Sequence, residues 1–166
     1  MSEFRIERLR KQPRKDFDCG VEALNGYLVA QANQEMRRCY STCFVLVEVA
    51  TGKVAGYYTL SASSIPLTGL SQELVKRLPR YPAVPVARVG RLAIDRAFHG
   101  RGLGSALIHD ALLRASFSEV AAYAMVVDAK DEAAARFYER LGFIRLVSQP
   151  LHLFLPIERN SRRDAD

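Results

Sequence analysis

The chain has 166 residues, 49% of them hydrophobic, with three cysteines and a formal net charge of +6. That suits one domain with a sizeable core, and no run is apolar for long enough to cross a membrane. Cys19, Cys39 and Cys43 show neither CxxC pairing nor histidines at ligand spacing, which argues against a disulfide scaffold and against a metal site.

The start, MSEFRIERLRKQPRK, is basic but has no apolar export segment, and Glu3 and Glu7 do not fit a transit peptide, so the cytoplasm is the expected compartment. FRIERL alternates with Phe4 and Ile6 on one face and reads as an edge strand. A helix follows through about Arg38, with Leu24, Leu28 and Ala32 on one face and Gly26 weakening it. CFVLVEVA and KVAGYYTLSA are strands joined by a hairpin at Thr51-Gly52. Next comes an irregular connection in which Pro66, Pro79, Pro82 and Pro85 bound a short helix.

VARVGRLAID is a strand broken by Gly90, which marks a bulge or a close backbone approach. A helix from about Leu103 to Ser116 carries an apolar stripe of Ile108, Ala111, Leu112 and Ala115. AYAMVVDA is a short buried strand. DEAAARFYERLGF places Ala134, Phe137, Tyr138 and Leu141 at helical spacing, and Gly142 ends that helix as a left-handed cap. FIRLV and LHLFLPI close the chain as strands. The expected organisation is one α/β domain over residues 1–158, a central sheet covered by helices, followed by a polar tail at 159–166.

Basic residues cluster at Arg8, Arg10, Lys11, Arg14 and Lys15, at Arg37 and Arg38, at Lys76, Arg77 and Arg80, and at Arg88, Arg91, Arg96 and Arg101. Such a balance attracts polyanions, although it also serves plain solubility.

The stretch AFHGRGLGSALIHDALL joins a strand to a helix through Gly100, Gly102 and Gly104. That order presents backbone N–H groups and the positive end of a helix dipole to an anion. A P-loop needs a Lys-Ser or Lys-Thr pair, which is missing here, and the glycine spacing does not fit the dinucleotide fingerprint. Tight packing at a strand-to-helix turn is the alternative use of the same glycines.

RLAIDRAFHGRGLGSALIHDALL resembles the segment of the GNAT acetyltransferases that follows Gln/Arg-x-x-Gly-x-Gly/Ala, here His99, Gly100, Arg101, Gly102, Leu103 and Gly104. DEAAARFYERLGF is similar to the family's N-x-x-A-x-x-x-Y-x-x-x-G-F element, with Ala134, Tyr138, Gly142 and Phe143 in place. His99 and Asp131 depart from the residues usual at their positions. The resemblance implies the GNAT fold, an α/β arrangement with a mostly antiparallel sheet of about six to seven strands flanked by helices.

It also implies acetyl-CoA as donor, its pyrophosphate on the amides of 99–104 and Ser105, and its pantetheine arm along Leu92, Ala93 and Ile94. Tyr138 becomes the general acid for the departing sulfur, whereas on pattern alone it is a core tyrosine. No general base stands out: Asp128, Asp131 and Glu132 read as a strand end or helix N-terminal charges, and His99, His109 and His152 lack metal spacing.

The outer segments, FDCGVEALNGYLVAQANQEMRRCYSTCFVLVE and GYYTLSASS, resemble the GNAT toxins of bacterial toxin–antitoxin pairs. That branch implies acetylation of the α-amine of aminoacyl-tRNA, arrest of translation, a ribbon–helix–helix antitoxin and a homodimer. An ordinary GNAT enzyme for a small or protein amine, and a non-catalytic RNA- or protein-binding module, share the same core motifs.

Overall fold

The computed structural model describes residues 3–157; the polar tail expected at 159–166 lies outside them. Strands β1 (Phe4–Arg8), β2 (Thr42–Glu48), β3 (Val54–Pro66), β4 (Ala83–Ile94), β5 (Ala124–Asp128), β6 (Ile144–Arg145) and β7 (His152–Pro156) form one mixed sheet, ordered β1-β2-β3-β4-β5-β7-β6. The helices are α1 (Glu22–Gly26), α2 (Ala32–Arg37), α3 (Gln72–Val75), α4 (Leu103–Phe117) and α5 (Glu132–Arg140). None is long and apolar enough to cross a membrane.

The chain divides into two compact units, the described residues up to Ser61 with Val89–Ala111, and Ala62–Arg88 with the residues from Leu112 onward. In the first unit β1 pairs antiparallel with β2, and β2 with β3, the second register shifting between Leu46 and Val47. β2 is buried from Cys43 to Val47, with the helical segment from α1 to α2 packed over it. Leu28, Ala32, Val45 and Tyr57 centre this core. Tyr58 sends its hydroxyl to Asp110 Oδ2 at 2.6 Å, pinning α4 to β3.

In the second unit β5 pairs antiparallel with β7, and β7 with β6. Ile65, Val86, Val126, Leu146 and Phe154 form its core. β5 is buried from Ala124 to Val127, as its continuous apolar run predicts.

Several elements differ from the sequence reading, among them β3, which continues to Pro66 through residues read as irregular connection. The long helix expected through Arg38 is interrupted by a π-helical turn over Tyr27–Gln31, and its buried face gains Tyr27 beside Leu28 and Ala32. β4 starts at Ala83 and runs through Pro85, whose carbonyl still accepts the Tyr123 N–H at 2.9 Å. Proline lacks a donor but keeps its acceptor, so it serves a strand on one side. FIRLV shrinks to Ile144–Arg145. The cysteines are free, with Cys43 buried, Cys19 half-buried and Cys39 exposed.

Candidate active site

The glycine loop belongs to the first unit. β4 ends at Ile94, and Asp95 fixes the exit: its carboxylate accepts the N–H of Ala97 at 2.9 Å and of Asp18 at 3.0 Å. The Arg96 N–H donates to the Asp18 carbonyl at 2.9 Å. Exposed His99 turns back, its Nε2 2.8 Å from the Ile94 carbonyl oxygen. Gly100 and Gly102 hold φ of +76° and +73°, and a Cβ on either would meet nothing within 4 Å. Glycine is needed there for backbone hand, with open space left beside it.

α4 makes its first bond from the Ala106 N–H to the Gly102 carbonyl at 3.2 Å. The N–H groups from Gly100 through Ser105 have no acceptor among the described residues. Together with the dipole of a 15-residue helix they form an anion cradle. Leu103 is buried and Gly104 and Ser105 half-buried, so the cradle's helical side is anchored. The Arg101 guanidinium pairs with Glu3 at 2.6 Å and lies over the Phe4 and Phe98 rings, leaving its backbone N–H to the cradle.

Upstream, Leu92, Ala93 and Ile94 form the end of β4, with Ala93 buried and its neighbours half-buried. The close approach expected at Gly90 is to Thr59, whose Oγ1 lies 3.3 Å from where a Gly90 Cβ would sit. That buried hydroxyl accepts the Arg91 N–H at 3.0 Å. The Arg91 guanidinium sits 3.8 Å over the Tyr27 ring. A cavity of about 570 Å³ in the same unit is lined by Lys11, Arg14, Lys15, Lys53, Asp95 and Phe98. Arg14 is committed to the carbonyls of Leu28 and Gln12, whereas Lys11, Lys15 and Lys53 are exposed and form no ion pair among the described residues.

Tyr138 belongs to the second unit. Asp131 caps α5 by accepting the Ala134 N–H at 2.8 Å, and Gly142 ends it with φ of +100°. The Tyr138 ring is 6% exposed and packs edge-on against Phe143, with Phe137 beside it. Its hydroxyl has no hydrogen-bond partner among the described residues, yet it is not sealed from solvent. Burial, and secondarily the Asp128 carboxylate, push its pKa up to about 12. At neutral pH it is a protonated phenol free to donate.

The sequence reading placed Asp128 as a strand end and missed what it gathers. Arg88 Nη1 lies 2.7 Å from both Asp128 oxygens, and His152 Nδ1 lies 2.7 Å from Oδ1. Arg88 Nε donates to Ser63 Oγ at 3.2 Å. Arg88, Asp128 and His152 sit on three different strands, so no local motif announces them. Cross-strand register is what brings His152 opposite Asp128. His109 is exposed in α4.

Residues 39–145 match a family model described as an acetyltransferase (GNAT) domain. The tRNA-acetylating toxin of Mycobacterium tuberculosis (strain ATCC 25618 / H37Rv) is 33% identical over 145 residues, covering 84% of this chain and 82% of that protein. A probable toxin TacT of Sinorhizobium fredii (strain NBRC 101917 / NGR234) is 26% identical over 89% of this chain and 86% of its own length.

Among solved structures, AtaT complexed with acetyl-methionyl-tRNAfMet matches with a TM-score of 0.86 and 34% identity, covering 92% of this chain and 94% of that one. A tyrosine-to-phenylalanine mutant of KacT matches with a TM-score of 0.89 and 32% identity, covering 99% and 100%. A similar AtaT mutant, bound to the C-terminus of the antitoxin AtaR and acetyl-CoA, has a TM-score of 0.78 and 30% identity over 94% of each chain.

Proposed function

This chain belongs to the GNAT acetyltransferase family, and from that premise we propose that it transfers acetyl from acetyl-CoA to the α-amine of aminoacyl-tRNA, blocking translation. The donor supplies an acetyl group activated as a thioester. The amides from Gly100 through Ser105, with the α4 dipole, hold its pyrophosphate. Leu92, Ala93 and Ile94 offer strand backbone to the pantetheine arm, and an N–H of that strand stabilises charge on the acetyl oxygen. Tyr138 donates its proton to the departing sulfur. His99, engaged on the Ile94 carbonyl, shapes the turn, and Arg101 braces the loop through Glu3.

The observation that carries the acceptor reading is the likeness to a tRNA-acetylating toxin over 84% of the chain. Charge supports it: the unpaired Lys11, Lys15 and Lys53 around one cavity suit contact with a phosphate backbone, which needs positive charge rather than base-specific groups. An enzyme for polycationic amines would be expected to line its acceptor side with carboxylates. The AtaT complex with AtaR supports a protein antitoxin for this chain too, of the ribbon–helix–helix class, and we place the enzyme in the cytoplasm as a homodimer.

The test is incubation with acetyl-CoA and bulk charged tRNA, followed by ester hydrolysis and mass analysis of the released amino acids. N-acetyl amino acids that appear only with acetyl-CoA are expected. Untouched aminoacyl-tRNA alongside acetylated polyamines or peptides would overturn the acceptor reading. Acetyl-CoA binding without transfer to any amine would make the chain a binding module.

A further inference from the structure

We propose that His152 is the proton acceptor for the attacking amine, held in that role by Asp128 and Arg88. This rests on the reading that the acceptor is an amine, and it supplies the one task in acyl transfer that no other residue covers. As the amine nitrogen bonds to the acetyl carbon it becomes positively charged, and one of its two protons has to leave. The C–N bond forms and the C–S bond breaks. His152 Nε2 takes the proton from nitrogen while Tyr138 gives one to sulfur, and solvent returns the proton between turnovers.

The geometry is that of an oriented base. His152 faces Asp128 directly across the β5–β7 pair, with Nδ1 2.7 Å from Oδ1. An Nδ1–H donated to a carboxylate fixes the tautomer and leaves the lone pair on Nε2. Nε2 has no partner among the described residues, and the side chain is 36% exposed, so the lone pair is accessible. Arg88 Nη1 contacts both oxygens of Asp128, and Arg88 Nε donates to Ser63, which keeps the carboxylate aligned.

Asp128 also acts, after burial, on the Tyr138 phenol of the same unit. Asp128 on β5 contacts His152, and Arg88 on β4 holds the same carboxylate. Arg145 on β6 is taken up by Glu132 and Glu139. A purely structural role explains less, because Arg88 Nη1 already reaches both Asp128 oxygens without the imidazole. A half-exposed ion pair also adds little to a fold.

His152→Ala should lower turnover on bulk aminoacyl-tRNA by roughly 100-fold at neutral pH. The KM for acetyl-CoA should stay near native, and added imidazole should restore part of the rate. His152→Gln keeps the bulk and a donor for Asp128, so it should fold as the native chain does yet show the same loss. Turnover within about threefold of native in His152→Gln would assign the imidazole to structure and overturn the proposal. Loss in His152→Ala without imidazole rescue would do the same. Should the native protein acetylate some other amine, only the tRNA reading fails, and the same variants are measured on that amine. Transfer to no amine overturns both.

Discussion

At Tyr138 a phenol rides on a buried ring and meets no hydrogen-bond partner among the described residues, which suits a hydroxyl that donates to a bound molecule. Removing only the oxygen is therefore the sharpest test. Tyr138→Phe should bind acetyl-CoA as the native chain does but transfer acetyl about 100- to 1000-fold more slowly, measured by calorimetry and single-turnover assays. Undiminished transfer would end the general-acid role. Because burial raises its pKa to about 12, the group stays protonated throughout the neutral range. Tyr138 thus adds no alkaline limb to the rate profile below about pH 10.

At the scale of elements, β4 reaches the donor loop only because β3 lets it come close. A Cβ on Gly56 would lie 2.7 Å from Ile94 Cδ1 and 2.9 Å from the Ala93 carbonyl oxygen, and the second of these is backbone that cannot swing aside. Gly56→Ala should cost about 1–3 kcal/mol of stability by overpacking. It should also raise the KM for acetyl-CoA, since the strand displaced is the one we propose for the pantetheine arm. A native thermal midpoint with native KM would show that the strands slide apart freely.

The glycine loop and the YxxxGF helix were legible in sequence because each is a local pattern: a strand, a left-handed turn and a helix start, or one helical stripe ended by glycine. The Arg88–Asp128–His152 cluster was not. Arg88 and Asp128 are 40 residues apart, and the pairing that unites the cluster is set by sheet register rather than by spacing. The partner of the Arg101 guanidinium was hidden for a related reason. The place of Arg101 in the loop is local, but Glu3 lies 98 residues away.

Across the whole molecule, several ionisable groups are held neutral by burial. Cys43 and Tyr27 are both pushed up to about 12, and Tyr57 is raised as well. Tyr138 joins them in the second unit. An unfolded chain ionises these groups at their ordinary values, near 9 for the thiol and 10 for the phenols. Their folded values are raised, so the stability they contribute is intact below pH 9 and is lost as pH climbs towards 12. Urea midpoints should hold between pH 7 and 9 and fall steeply above 10. Equal midpoints at pH 8 and 11 would contradict the burial of these groups. Overall charge made a polyanionic partner legible from composition. Where the charge is free to act was not legible, because Arg14 and Lys15 are neighbours in sequence and only the lysine is left without internal bonds.

The π turn at Tyr27–Gln31 bears on how this chain is compared with others. Such a turn holds one residue more than the α turn it replaces, so it amounts to a single-residue insertion absorbed inside a helix. Against any relative with an uninterrupted helix here, the alignment gap belongs within 27–31 and not in the loops on either side. Shifting it to a loop would put Tyr27, the ring beneath the Arg91 guanidinium, opposite the wrong residue.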